Sequence, residues 1–234
     1  MILIFDFFET LLNSKSIDFN RGLFDFWNRY YKDKCPFEEM KEYGEELFRE
    51  LLLKHKEEEE YPFVKNELPL FAQRFGGDKT TMSASEEADF LMLCNEFELD
   101  PVIEEFVQKC SQNNIPMYVL SNSGFRAEAL MEILNRFGIG KFFRKLWSSA
   151  DFGRIKPCRD FFELAIQTAL SENPSENRED IIYIGDLYET DVIGSYNAGI
   201  KSCWFNKKNG FDEKGIVAYN CPAPNLLFEI IDGN

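Results

Sequence analysis

"DIIYIGDLYETDVIGSYNAGI", residues 180–200, decides how the rest of the chain is read. Its first part is a short apolar run of strand-formers that stops at Gly185-Asp186. Its second part, "ETDVIGSYNAG", has helical spacing, and "IKSCWFN" (200–206) then reads as another strand. Strand, helix and strand in so short a span predict a parallel sheet with helices on its faces, an α/β fold.

The same alternation runs upstream. A helix "PVIEEFVQKCSQNN" (101–114) leads to a strand "IPMYVLS" (115–121). A helix "FRAEALMEILNRFG" (125–138) follows, with Gly138 suited to its C-terminal cap. Next come a strand "KLWSS" (145–149) and a helix "PCRDFFELAIQTAL" (157–170), whose Pro157 suits a first helical turn. A last helix is expected over "APNLLFEII" (223–231). "MILIFD" (1–6) reads as a buried strand of the same sheet. Residues 14–97 are different. "FNRGLFDFWNRYY", "FEEMKEYGEELFRELLLKH" and "SASEEADFLMLCNEF" place apolar residues three and four apart. They predict an all-helical insertion (14–97) in a core made of residues 1–13 and 98–234.

Composition narrows the class. A net charge of −15 repels phosphate backbones and anionic lipid, so neither nucleic acid nor a membrane surface is an expected partner. No apolar run approaches a membrane span. Asp6 and Glu9 break the N-terminal apolar stretch, which also lacks the basic start of a signal peptide. Six cysteines without a CxxC are expected to be reduced packing residues of a cytoplasmic protein. The 24 phenylalanines point to a Phe-rich core. Glu57–Glu60 is expected to be a solvated helix end, and His55, the one histidine, a surface residue.

In open α/β sheets ligands gather at the carboxyl ends of the strands. Those ends deliver Asp6, then Ser121-Asn122-Ser123-Gly124, then Arg154 and Lys156, then Asp186 with Asp191 five residues on. Three carboxylates at one edge repel and resist ionisation unless a cation joins them. Magnesium (Mg2+) suits an all-oxygen set and keeps room for a substrate phosphate. Three carboxylates, one magnesium ion and Lys156 sum to zero charge. Ser121, at a strand end before a helix, suits a phosphate, and Lys156 suits a charge clamp. Singly, each has a plainer role as a cap, a turn residue or a loop lysine. Together, in this order, they point to phosphoryl chemistry.

"FDFFETLL" (5–12), "VLSNS" (119–123), "IKP" (155–157) and "YIGDLYETDVIGSYNAGI" (183–200) together resemble the four motifs of the haloacid dehalogenase superfamily. The resemblance implies a Rossmann-like core with a five-stranded parallel sheet, a helical cap after the first strand, and a magnesium-dependent phosphatase for a small phosphorylated metabolite. It implies Asp6 as the nucleophile that forms an aspartyl-phosphate, Ser121 and Asn122 as phosphate binders, and Lys156 as the stabilising lysine. Metal ligation falls to Asp6, the Phe8 carbonyl, Asp186 and Asp191, the last through water or by orienting Lys156. The family's phosphatases usually carry a second Asp two residues after the nucleophile, as general acid and base. Here Phe8 stands there. Glu9, next to it, either replaces that acid or bonds the turn backbone. Two alternatives follow from Phe8: a phosphate- and metal-binding sensor with impaired turnover, or a carbon–halogen hydrolase. Arg29, Tyr30, Arg49 and Arg74 are cap residues able to meet a substrate. The expected assembly is a monomer or homodimer.

Overall fold

A computed structural model describes residues 1–232. The strands are β1 (Ile2–Phe5), β2 (Asn13–Ile17), β3 (Asn95–Glu98), β4 (Met117–Ser121), β5 (Lys145–Ser148), β6 (Ile181–Gly185), β7 (Lys201–Trp204) and β8 (Tyr219–Asn220). The helices are α1 (Phe19–Tyr30), α2 (Phe37–Lys56), α3 (Leu68–Phe75), α4 (Ala84–Cys94), α5 (Pro101–Gln112), α6 (Ala127–Arg136), α7 (Ser149–Phe152), α8 (Arg159–Glu172), α9 (Ile193–Asn197) and α10 (Phe228–Asp232).

Six strands make one parallel sheet in the order β5-β4-β1-β6-β7-β8. This is the expected α/β core with one addition, the two-residue β8 beside β7. Successive residues of β1 pack in opposite directions. Leu3 and Phe5 join one apolar cluster, Ile2 and Ile4 the other. In β4 and β6 the same split sends Val119 and Ile184 one way, Leu120 and Tyr183 the other. That period of two, with both faces buried, is why these strands read as continuous apolar runs. Phe106 of α5 and Ile133 of α6 cover the first face, and Phe161 and Phe162 of α8 the second.

The insertion is helical through α1–α4, but its two ends pair as an antiparallel ribbon, with Asn13 opposite Glu98 and Ser14 opposite Phe97. The polar sequence of β2, "NSKSI", carries no apolar alternation, so nothing in it announces a strand. Inside the insertion, Leu23, Phe26, Met40, Phe71 and Phe90 form a third apolar cluster. Phe125, from the core loop after β4, reaches into it, 5.6 Å from Phe63 and 6.0 Å from Phe90 between ring centres. Arg126 adds an ion pair to the fully buried Glu87 at 2.7 Å. Apolar contact and a charged clamp thus fix the inserted helices against the loop after β4 from adjacent residues.

Two local expectations change. Pro157 lies before α8 and not in its first turn, and the Lys156–Pro157 bond is cis. Glu57, Glu58 and Glu59 are exposed as expected, but Glu60 is buried. Its carboxylate accepts the Tyr61 N–H at 2.9 Å, meets His55 at 3.0 Å and bonds the Ser149 hydroxyl. A buried carboxylate needs such partners, and they come from both the cap and the core. Among the described residues, no helix is long and apolar enough to cross a membrane.

Candidate active site

Asp6 continues β1 by one residue and, by strand alternation, falls on the face that Ile4 shares with Tyr183, its neighbour in register. Its own N–H donates to the Ile184 carbonyl at 2.8 Å, which fixes it at the strand end. Lys156 arrives from the loop between α7 and α8 and is only 2% exposed. Its ammonium donates to Asp6 Oδ1 at 2.8 Å, Asp191 Oδ1 at 2.7 Å and Tyr183 Oη at 2.7 Å. An ammonium has three N–H donors, so all are used. The Tyr183 hydroxyl donates its own hydrogen bond to the Leu120 carbonyl at 2.9 Å.

Asn122 acts on the lysine from outside. Its side-chain oxygen accepts the Lys156 N–H at 2.6 Å and its amide donates to the Lys156 carbonyl at 3.1 Å. The Asn122 side-chain oxygen and one N–H of its amide position Lys156, which leaves the second N–H and the main chain for a phosphate. Ser121, fully buried at the end of β4, makes one stretched contact to the Asn122 carbonyl at 3.4 Å. Its hydroxyl is weakly held.

Asp191 sits in a wide π-helical turn, Tyr188–Val192, and its Oδ2 accepts the Leu187 N–H at 2.9 Å. A Cβ on Gly185 would lie 2.5 Å from the Asp191 carboxyl carbon, so a glycine is what lets that carboxylate lie against β6. Asp6, Asp186 and Asp191 each offer an oxygen, all within 4.8 Å of one another. Burial raises the Asp6 carboxyl to about 7, with Lys156 opposing and Asp191 adding to the rise. Burial and then Asp191 raise Asp186 to about 6. For Lys156, burial works against the charge, but Asp191 and Asp6 outweigh it and hold its pKa above the ordinary value. The cluster thus has more negative charge than Lys156 balances. A hard divalent cation fits both the deficit and the all-oxygen donor set.

Phe8 gives this edge no proton donor. Its ring packs against Phe7 at 4.9 Å and Phe97 of β3 at 6.0 Å. Glu9 has a left-handed backbone (φ 55°), and its carboxylate accepts the Ser14 N–H at 2.8 Å. It is bonded to the turn, beside an opening of about 400 Å3 that it lines with Asp186, Tyr188 and Lys207. The four cap residues are engaged within the cap: Arg29 with Asp25, Tyr30 with Glu86, Arg49 with the Glu45 carbonyl, and Arg74 over the Tyr43 ring. Sequence reasoning missed Tyr183. The one available signal was a hydroxyl in an otherwise aliphatic strand, "IIYIG".

Residues 3–205 match the family described as haloacid dehalogenase-like hydrolase. Pyrimidine 5'-nucleotidase YjjG of Escherichia coli (strain K12) is 32% identical over 107 residues, 45% of this chain and 44% of that protein. The matched stretch is thus under half the length of that curated relative. In fold, the chain resembles a 2-haloacid dehalogenase from Pseudomonas syringae pv. Tomato DC3000 (TM-score 0.66, 17% identity, covering 100% of this chain and 99% of that one). It also resembles the magnesium-bound putative HAD-hydrolase YfnB of Bacillus subtilis (TM-score 0.61, 19% identity, covering 99% and 98%). The family match spans the candidate site residues from Asp6 to Asp191, and the chain belongs to the haloacid dehalogenase-like hydrolases.

Proposed function

We propose that the chain is a magnesium-dependent phosphatase that passes the phosphoryl group of a small phosphorylated metabolite through Asp6. The observation that carries this is the buried Lys156 held between Asp6 and Asp191, beside a third carboxylate, Asp186. Asp6, Asp186, Asp191 and the Phe8 carbonyl would hold magnesium, which supplies neutralisation of the charge gathered at the phosphoryl group. Lys156 anchors Asp6 through Oδ1, leaving Oδ2 to attack phosphorus in line with the leaving oxygen. The Asp6–phosphorus bond forms as the bond to the leaving group breaks. Water then hydrolyses the acyl-phosphate and restores the carboxylate. With its three donors taken, Lys156 acts on the phosphoryl oxygens as a fixed charge. Ser121 offers its hydroxyl to the phosphate.

With Phe8 at the acid position and the Glu9 carboxylate tied to Ser14, leaving groups that need no proton turn over fastest. The nucleotidase relative supports a phosphate ester as the substrate class. The test is hydrolysis of aryl phosphates with magnesium, with excess EDTA, and by Asp6→Asn. Turnover that needs magnesium and vanishes in the variant supports the proposal. Phe8 favours a second reading, a sensor, which binds magnesium and phosphate analogues and turns over nothing. Chelator-insensitive cleavage of a carbon–halogen bond would replace both.

A further inference from the structure

The loop that begins at Ser121 forms the core wall of a cavity of about 150 Å3 at the junction with the cap. Gly124 and Phe125 line it from the core, and Phe48, Leu51 and Phe63 from the cap. One wall residue is of another kind. Glu67, at the end of the π-helical turn before α3, is 5% exposed. Among the described residues, its carboxyl has no hydrogen-bond or ion-pair partner. Burial alone raises it to about 8, so at neutral pH it is mostly protonated.

A protonated carboxyl presents one O–H donor beside one carbonyl acceptor. Its complement is an edge with an acceptor beside an N–H. Size then restricts the occupant. An apolar cavity of about 150 Å3 takes a single benzene-sized ring and no fused pair. Position ties it to the phosphate site. Ser121 and Gly124 are three residues apart and so lie within about 11 Å along the chain.

We propose that this cavity, with Glu67, seats the ring of the substrate: one six-membered heteroaromatic ring with an N–H donor and an acceptor side by side. The link to turnover rests on the phosphatase proposal, whereas the binding of the ring does not. Glu67 is a specificity residue and takes no part in the chemistry at Asp6.

The experiment uses the full chain, with cytosine and toluene as probes in NMR titrations. Glu67→Met removes both polar groups and keeps the bulk. Because it deletes an unpaired buried carboxyl, it does not threaten folding. Glu67→Gln keeps one donor and one acceptor. Leu51→Trp fills the cavity. Loss of two neutral hydrogen bonds predicts about a ten-fold weaker affinity of Glu67→Met for cytosine. Toluene binding is unchanged in that variant, Glu67→Gln stays near wild type, and Leu51→Trp loses both probes. In turnover, Glu67→Met raises KM for cytidine monophosphate, whereas Glu67→Gln keeps it near wild type. Cytosine binding that is absent, or indifferent to Glu67→Met, overturns the inference. Aryl phosphate hydrolysis without cytosine binding leaves the phosphatase and removes the pocket. Cytosine binding without any hydrolysis does the reverse.

Discussion

Tyr183→Phe removes one oxygen atom and opens almost no space, so its effect isolates the hydrogen bonds of the buried lysine. Lys156 would keep Asp6 and Asp191 and lose the third acceptor, at 2.7 Å. The Leu120 carbonyl would lose its phenolic donor, at 2.9 Å. At 2% exposure, water does not replace the lost partner. A charged buried donor left unpaired costs about 2 kcal/mol, and the second hydrogen bond adds about 1 kcal/mol. The expected loss of stability is therefore about 3 kcal/mol. Urea unfolding measures it. With a slope of about 3 kcal/mol per molar, the midpoint should fall by about 1 M at unchanged slope. In a Lys156→Met background the same change should cost clearly less, because the charge that needed the hydroxyl is gone. A midpoint that hardly moves, or the same loss in both backgrounds, would refute the idea that Tyr183 holds the lysine.

Phe8→Asp should raise turnover of phosphates with poor leaving groups by at least about ten-fold, with little gain on aryl phosphates. Equal gains on both would show that proton transfer is not the missing step. Glu67 should make stability fall with rising pH. Its carboxyl titrates at about 8 when folded against an ordinary 4.5, so its contribution is complete below about 4.5 and is lost as the pH approaches 8. The difference amounts to as much as about 5 kcal/mol. Tyr61 and Cys94 are the neighbouring titratable groups, and both ionise at higher pH. Unfolding curves of wild type and Glu67→Gln across that range should therefore diverge, and parallel curves would refute the assignment. Gly22→Ala should cost about 2–3 kcal/mol, because its Cβ would fall 2.4 Å from Cys94 Sγ and 2.9 Å from the Phe90 carbonyl oxygen, where α1 crosses α4. Gly44→Ala, whose nearest neighbour is the movable Leu23 Cδ2 at 3.1 Å, should be close to neutral, and calorimetry would compare the two.

The parallel core was legible because both faces of its central strands are buried, so β1, β4 and β6 are apolar runs that end at or beside Asp6, Ser121 and Asp186. The pair Asp186 and Asp191 was legible because both lie within one turn of sequence. The link between Asp6 and Lys156 crosses 150 residues and became visible only through the order of the strands. Tyr183 looked like another core residue, since an aromatic ring in an aliphatic strand says nothing of where its hydroxyl ends. Glu60 and Glu67 were hidden by composition. Acidic side chains in an acidic cap read as solvated, and only packing reveals which of them are enclosed. The ribbon escaped for the opposite reason: β2 is polar because it stays near the surface, so hydrophobic periodicity had nothing to report.

That ribbon has a consequence for engineering. Asn13 and Glu98 face each other across an antiparallel pair, and such residues lie about 5 Å apart. The chain leaves the core and returns to it through neighbouring points, although more than eighty residues intervene. A tight turn spans that gap, so the inserted helices form a cassette whose removal or exchange leaves the order of the core strands untouched. What an exchange must reproduce is the docking at Phe125 and Arg126, because those side chains, and not the covalent joints, set how a transplanted cassette is seated.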